Sequence, residues 1–224
     1  MDNTCISAII CAYNEERTID DLLFNVCNSR FFGEIIVVND GSTDQTPGVI
    51  DEYARRFSLR ALHLATNRGK GAAMAEGINL AKGTYLVFID ADLSNFNRWH
   101  AALLVDPLLK GEADMILGIP GKTLIPERIN PFKHLSGQRA VRKKDLLPLV
   151  EQMHSLGYGV ETLINHYFRK KGYRVKRVVL KGLYHPCKFQ KFSPLKAIRS
   201  FIREGWQIFL THIALTRAFL TNLK

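Results

Sequence analysis

Short apolar runs alternate with helical patterns along the first part of the chain. The runs at residues 6–11, 35–38, 59–64 and 85–89 have the length of buried strands. This alternation predicts a largely parallel sheet that is covered by helices on both faces. The intervening helices are predicted at residues 15–28, with Asn14 as the N-cap, 46–57 and 71–81.

The rest of the chain is less regular. Residues 114–118 and 174–180 are predicted strands, and apolar positions at helical spacing predict a helix over 159–171. Two prolines make residues 121–136 a predicted loop. From Pro194 onward, a C-terminal amphipathic helix is predicted by an apolar stripe with interspersed lysines and arginines. The stripe consists of Ile198, Ile202, Trp206, Phe209, Ile213 and Leu220.

Three of the predicted strands end in polar clusters, at residues 13–15, 39–42 and 90–92. The carboxyl ends of parallel strands lie at one edge of a sheet, and ligands of such sheets bind beyond that edge. The sequence therefore predicts a ligand site where the three clusters meet.

Composition narrows the class of protein. The 224 residues are 46% hydrophobic and 23% charged, which excludes disordered, collagenous and coiled-coil chains. No apolar run reaches the roughly 18 residues of a membrane span, and no secretory signal is recognisable. The cysteines form no CxxC pair and are expected to be reduced thiols in the cytoplasm. They are Cys5, Cys11, Cys27 and Cys187.

The formal net charge of +10 is unevenly distributed. Residues 133–224 carry 19 Lys and Arg against 4 Asp and Glu, whereas residues 1–132 carry 12 against 17. The asymmetry predicts a basic surface that contacts phosphate, lipid headgroups or nucleic acid. A solvated basic face is the alternative.

Asp90-Ala91-Asp92 directly follows a buried apolar run. Two carboxylates this close repel each other unless a cation is present, and carboxylate oxygens suit Mg²⁺ bound to substrate phosphates. The alternative is that Asp92 caps the next helix.

Residues 67–73 place Lys70 between Gly69 and Gly71 at the start of a predicted helix. Backbone amides at a helix start attract anions, and the lysine adds a positive charge. A tight turn is the alternative. The chain has neither a Walker A loop nor a GxGxxG after the first strand, which argues against a dinucleotide-binding oxidoreductase.

Asp40 ends another buried strand and is positioned to contact a base or ribose. The alternative is an Asx-turn followed by a helix cap at Asp44.

Four segments, in this order, resemble the family 2 glycosyltransferases with the GT-A fold. The resemblance covers residues 5–93, and it continues more weakly to about residue 185. Within the family, the sequence resembles the polyprenyl-phosphate glycosyltransferases and the glucosyl-phosphoglycerate synthases. Cys11 stands where the family usually has proline, and Asn39 where aspartate is common. The segments are residues 11–16, 37–44, 67–72 and 90–92, with weaker ones at 136–139 and 157–161.

The resemblance implies an α/β fold, a Rossmann-like and mostly parallel central sheet flanked by helices. Residues 1–192 would form the GT-A domain. Within it, residues 1–118 would bind the nucleotide sugar and residues 119–192 the acceptor. Residues 193–224 would form the C-terminal amphipathic helical segment.

The resemblance also implies a donor site that holds a nucleotide-diphosphate sugar and Mg²⁺ or Mn²⁺. Asp90 and Asp92 would hold the metal, with His185 as a further ligand. Asp92 is the expected direct ligand and a catalytic residue, because the metal neutralises the leaving diphosphate. The implied nucleotide-sugar contacts are Tyr13, Asn14, Glu15, Asp40, Lys70, Gly71, Asp90 and Ala91.

On the acceptor side, Glu161 would lie near the transferred sugar or the acceptor as a catalytic residue, either as a general base or as a group that orients the sugar. A first-turn glutamate that favours the helix dipole is the alternative. Gly137, Arg139 and Lys188 would bind the acceptor, Arg139 through paired hydrogen bonds to a phosphate. An ordinary surface arginine is the alternative for Arg139.

The function that follows is inverting, metal-dependent sugar transfer to a phosphate-bearing acceptor, a polyprenyl phosphate or a small phosphorylated acid. A nucleotidyltransferase is disfavoured, because residues 12–15 replace its glycine-rich stretch. A nucleic-acid-binding module lacks its aromatic and basic motif, so no nucleic-acid partner is expected. A non-catalytic nucleotide-binding scaffold is the remaining alternative.

The C-terminal segment has two interpretations. Its apolar stripe packs on the catalytic domain or on a second subunit of a homodimer, or it lies on a membrane surface with its basic residues towards anionic headgroups. The expected location is cytoplasmic, with peripheral contact to the membrane under the second interpretation.

Overall fold

The computed structural model describes residues 6–121, 137–157 and 159–183, together with residues 205, 206, 210, 211 and 213. Seven strands form a single sheet in the order β3-β2-β1-β4-β6-β5-β7. The strands are β1 (Ile6–Ala12), β2 (Glu34–Asn39), β3 (Leu59–His63), β4 (Tyr85–Asp90), β5 (Met115–Pro120), β6 (Arg139–Arg142) and β7 (Val175–Leu180).

The sheet is mostly parallel. β6 runs antiparallel to both of its neighbours, β4 and β5, whereas the other paired strands are parallel. The helices are α1 (Ile19–Asn28), α2 (Thr46–Arg56), α3 (Lys70–Leu80), α4 (Arg98–Leu109), α5 (Lys143–Leu146), α6 (Val150–Met153) and α7 (Val160–Lys170).

Alternating side chains of the central strands build two apolar layers. In β2, Val37 belongs to the apolar layer that includes residues of α1, α2 and α4. Ile36 and Val38 belong to the opposite layer, which includes residues of α3 and α7. Because both faces are buried, the central strands are apolar at nearly every position, as the sequence predicted.

Two details of the helices differ from the sequence predictions. The first helix begins at Ile19 with Thr18 as its N-cap, so the prediction of Asn14 as the cap is wrong. Asn14 instead has a positive φ of 55° in the loop after β1. The alternative of Asp92 as a helix cap is also wrong, because α4 begins at Arg98 and is capped by the side chain of Asn97.

Candidate active site

The carboxyl ends of β1, β2 and β4 lie side by side at one edge of the sheet. Cys11 of β1 is in register with Asp90 of β4, and Ala12 with Asn39 of β2. The chain leaves β1 towards β2 on one side and reaches β4 on the other, which makes this edge a topological switch point. The three polar clusters predicted from the sequence are therefore brought together.

Lys70 is the first residue of α3 and joins two acidic residues. Its Nζ donates to Asp90 Oδ1 at 2.8 Å and to Glu161 Oε1 at 2.7 Å. Burial lowers the pKa of Lys70, but Asp90 and Glu161 more than offset this, so its pKa is well above the ordinary value. Lys70 is thus a permanent cation between β4 and the first turn of α7.

The second carboxylate oxygen of Asp90, Oδ2, accepts a hydrogen bond from the residue that directly precedes β6. Gln138 Nε2 donates to Asp90 Oδ2 at 2.6 Å. A Cβ on Gly137 would overlap this carboxylate, so the close approach requires glycine. Gly137, predicted as an acceptor contact, therefore lies against Asp90. Gln138 was missed, although its position next to Gly137 was a signal.

Arg139 is fully buried at the start of β6. Burial lowers the pKa of its guanidinium, whereas the nearby Glu161 and Asp90 raise it. The alternative of an ordinary surface arginine is wrong. Its predicted role as a phosphate clamp stays a prediction, and in this structure its charge faces the protein's own carboxylates.

Asp40 holds the loop that leads into α3. Its two carboxylate oxygens accept hydrogen bonds from the backbone N–H groups of Arg68 at 2.7 Å and Gly69 at 2.8 Å. Burial raises the pKa of Asp40, while these hydrogen bonds lower it. Gly41 has a φ of 68°, and a Cβ there would overlap the backbone of Thr66. Asp40 thus fixes the position of Lys70 through the backbone.

The loops after β1 and β2 are joined by hydrogen bonds. The N–H of Asn14 donates to Ser42 Oγ at 2.9 Å, and Asn14 Oδ1 accepts from the N–H of Thr43 at 2.8 Å. The N–H of Glu15 donates to Thr46 Oγ1 at 2.8 Å. Tyr13 exposes 45% of its surface beside these loops. Of the three residues predicted here, Tyr13 presents the most surface to a ligand.

Gly71 was predicted to lie near the diphosphate. A Cβ on this residue would overlap the backbone oxygens of Met153 and Leu156. Its small size is therefore required where α3 packs on α6, whatever the ligand.

Asp92 follows β4 in a turn and is half-buried, and Ala91 is buried beside it. Their carboxylate neighbour Asp90 is engaged by Lys70 and Gln138, as described above. Within the described part of the chain, no group of three or more His, Cys, Asp and Glu side chains could hold a metal ion. The predicted ligand His185 and the predicted acceptor residue Lys188 lie outside the described residues.

The sheet order and the site define a Rossmann-like GT-A fold, and solved structures agree. The structure resembles that of glucosyl-3-phosphoglycerate synthase from Mycobacterium tuberculosis solved with Mn²⁺, uridine diphosphate and phosphoglyceric acid. The TM-score is 0.72 at 26% identity, covering 94% of this chain and 78% of that chain. A complex of the same synthase with Mg²⁺ and uridine diphosphate gives a TM-score of 0.70 at 26% identity and the same coverage.

The family follows from the sequence comparison. The model of glycosyl transferase family 2 matches residues 7–199, and the chain belongs to this family.

Curated relatives match over part of their length. Poly-beta-1,6-N-acetyl-D-glucosamine synthase of Staphylococcus epidermidis is 39% identical over 88 residues, which are 39% of this chain and 21% of that protein. Dolichyl-phosphate beta-glucosyltransferase of Dictyostelium discoideum is 33% identical over 44% of this chain and 35% of that protein. The chain thus spans about a fifth to a third of these relatives. Among the described helices, none has the length and apolar character needed to cross a bilayer.

Proposed function

We propose that the chain is an inverting, metal-dependent glycosyltransferase that moves a sugar from a nucleoside-diphosphate sugar to a phosphate-bearing acceptor. The observation that carries the proposal is the meeting of Asp90, Lys70 and Glu161 at the carboxyl edge of the sheet, with Asp92 two residues after Asp90. The family match and the uridine diphosphate and metal in the similar structures support it.

In this reaction an acceptor oxygen attacks the anomeric carbon of the sugar. The bond from that carbon to the diphosphate oxygen breaks, and its electron pair leaves with the nucleoside diphosphate. A single displacement of this kind inverts the anomeric configuration. Bound Mg²⁺ or Mn²⁺ would neutralise the charge on the leaving group.

The Asp90-Ala91-Asp92 segment fits a hard cation, because its ligands are carboxylate oxygens. Both oxygens of Asp90 already accept hydrogen bonds from Lys70 and Gln138. We therefore assign the direct metal contact to Asp92 and leave Asp90 to organise the site, and we keep His185 as a proposed further ligand.

Glu161 suits a role in orienting the sugar. It is 7% exposed and forms an ion pair with the permanently charged Lys70. Where a phosphate oxygen attacks, as in a polyprenyl phosphate, the nucleophile is already ionised at neutral pH and needs little help from a base. Where a hydroxyl of a phosphorylated acid attacks, Glu161 would take its proton as the general base.

Two kinds of acceptor carry such a phosphate, a polyprenyl phosphate and a small phosphorylated acid. The C-terminal segment favours the lipid source. Trp206 and Leu210, four residues apart, expose 60% and 47% of their surface. A Cβ on Gly159, at the start of α7, would overlap the side chain of Thr211. The contact of Thr211 with Gly159 places this exposed apolar pair near the start of α7, which supports peripheral membrane contact.

Sugar transfer tests the proposal. The purified protein, with Mn²⁺ and labelled UDP-glucose, GDP-mannose or UDP-N-acetylglucosamine, is given either polyprenyl phosphate in anionic vesicles or 3-phosphoglycerate in solution. Product with inverted configuration from one donor supports the proposal, and the productive arm names the acceptor source. Release of sugar 1-phosphate rather than nucleoside diphosphate would indicate a nucleotidyltransferase. No turnover of any donor would indicate a scaffold.

A further inference from the structure

We propose that Lys70 is a positioning residue that couples Asp90 to Glu161, rather than a ligand of the donor's diphosphate. The proposal rests on the proposed function and assigns Lys70 a role within it. It revises the expectation, drawn from the sequence, that Lys70 lies on the nucleotide.

The geometry of the ammonium group is the first argument. An ammonium has three N–H donors, and Lys70 directs hydrogen bonds of 2.8 and 2.7 Å to Asp90 and Glu161. These two acceptors come from separate elements, the end of β4 and the first turn of α7. Lys70 is therefore the cross-link between the predicted donor half and the predicted acceptor half of the site.

The charge balance is the second argument. Arg139 is fully buried, and its interactions with Glu161 and Asp90 oppose the effect of burial on its charge. Among the described residues, two cations thus accompany the buried Glu161 and the half-buried Asp90. Loss of Lys70 would remove one of these two cations, and a buried charge that loses its partner is strongly unfavourable. Glu161 would then lose the contact that holds its carboxylate in place.

The third argument is that the backbone directly before Lys70 is held in place. Asp40 anchors the N–H groups of Arg68 and Gly69, the two residues that precede Lys70. The position of the ammonium group is thus fixed on one side by Asp40, directly after β2, through the backbone that leads into α3. On the other side it is fixed by its contact with Glu161 of α7. A rigid cation directed at two carboxylates is suited to holding Glu161 against the sugar.

The experiment compares Lys70→Met, Lys70→Arg, Glu161→Gln and the Lys70→Met/Glu161→Gln double variant. UDP affinity is measured by calorimetry with Mn²⁺, and kcat is measured at saturating donor. Lys176→Met is the matched control, since Lys176 forms an exposed ion pair with Glu112. Circular dichroism checks that each variant is folded.

We expect Lys70→Met to lower kcat at least tenfold while UDP affinity stays within about twofold. Lys70→Arg should recover part of kcat, and the double variant should be hardly slower than the slower single variant. The control should match the wild type. A loss of UDP affinity of tenfold or more with unchanged kcat would overturn the proposal, as would independent, multiplying effects of the two substitutions.

A urea-unfolding cycle of the wild type, Lys70→Met, Glu161→Gln and their double variant separates this proposal from the proposed function, because it needs no donor. Non-additive shifts of the unfolding midpoint support the Lys70–Glu161 coupling even if no sugar is transferred. Additive shifts would overturn it. A wild-type protein that neither binds a nucleotide nor turns over a donor would instead overturn the proposed function.

Discussion

At the scale of single residues, the interior of the site is organised by matched charges. Asp90 and Glu161 are each within hydrogen-bond distance of Lys70, and the buried Arg139 interacts electrostatically with both. Desolvating these groups is costly, and the cost is offset only while each charge keeps its partner. The same surroundings control the chemistry of the neighbouring thiol of Cys11.

Cys11 should be unreactive in the folded protein. Burial raises the pKa of its thiol to about 12, and Lys70 lowers it by less than burial raises it. Since the thiolate is the nucleophile, iodoacetamide at pH 8 should leave Cys11 unmodified in the native protein and alkylate it in urea. Peptide mass spectrometry gives the readout, with Cys27, whose pKa burial raises to about 11, as an internal comparison. Equal labelling rates in both conditions would contradict this description of the site.

The strand ends made Asp40 and Asp90 predictable as site residues, because an apolar run that stops at a carboxylate is visible in the sequence. Lys70 was predictable because it lies between two glycines at the start of a predicted helix. Glu161 was predicted from the family resemblance, but its contact with Lys70 and the contact of Gln138 with Asp90 were not predicted. Glu161 lies 91 positions from Lys70, and Gln138 lies 48 positions from Asp90. Such contacts depend on how α7 and β6 dock, which no local pattern encodes. The same holds for the burial of Arg139.

At the scale of elements, close packing of α3 positions Lys70. Gly71 allows the first turn of α3 to contact the backbone of Met153 and Leu156. The N-terminus of this helix is therefore fixed by a backbone-to-backbone contact, which tolerates no side chain.

Gly71→Ala should destabilise the fold by about 1–3 kcal/mol, because the added methyl group overlaps backbone atoms that cannot rotate away. Gly48→Ala, within α2, is the matched control, since the nearest atom to its Cβ would be 3.8 Å away. It should stabilise by about 0.5–1 kcal/mol through helix propensity. Urea unfolding measures both. Equal effects of the two substitutions would contradict the packing of α3.

Asp114, just before β5, should contribute stability that depends on pH. Its carboxylate accepts from Arg142 at 2.7 Å and from the N–H of Arg174 at 2.9 Å, which links β5, β6 and β7. The hydrogen bond from the Arg174 side chain, opposed by burial, holds the pKa of Asp114 below its ordinary value. A lowered carboxyl pKa stabilises the fold above the unfolded-state pKa of about 3.9, and the contribution is lost as pH falls through the folded-state pKa.

Asp114→Asn should therefore lower the urea midpoint at pH 7, and the difference from the wild type should shrink as the pH is lowered below about 4. Glu112→Gln is the control, because its ion pair with Lys176 is exposed and should contribute little. A difference between Asp114→Asn and the wild type that grows on acidification would contradict the network.

The elements that escaped prediction share a physical reason. α4 contains Pro107 and large apolar residues on several faces, so its helical period is weak. β6 has only four residues and an arginine at each end, a local pattern that is typical of an exposed loop. Its place between β4 and β5 is determined by pairing on both sides. The long apolar strands β1, β2 and β4 were predictable because nearly all of their residues are apolar, which indicates burial on both faces.

At the scale of the whole molecule, one sheet carries both predicted halves of the site. β5, β6 and β7 extend the sheet begun by β1 to β4, so Glu161 and Asp90 lie on a common framework. The division into residues 1–118, 119–192 and 193–224 stays a prediction, as does a homodimer. The basic excess of residues 133–224 supports the proposal of a phosphate-bearing acceptor.

Metal-dependent nucleotide binding is the most direct test of the account. UDP, GDP, CDP and dTDP are added to the protein with Mn²⁺ or with EDTA, and the unfolding temperature is recorded. Asp92→Asn is compared with Asp106→Asn, a half-buried aspartate within α4. A ligand at 100 times Kd adds about 2.7 kcal/mol to the stability of the folded state. The account predicts a rise with one nucleotide that needs Mn²⁺, persists in Asp106→Asn and is lost in Asp92→Asn. Nucleotide binding that depends neither on the metal nor on Asp92 would contradict the account, as would the absence of any nucleotide binding.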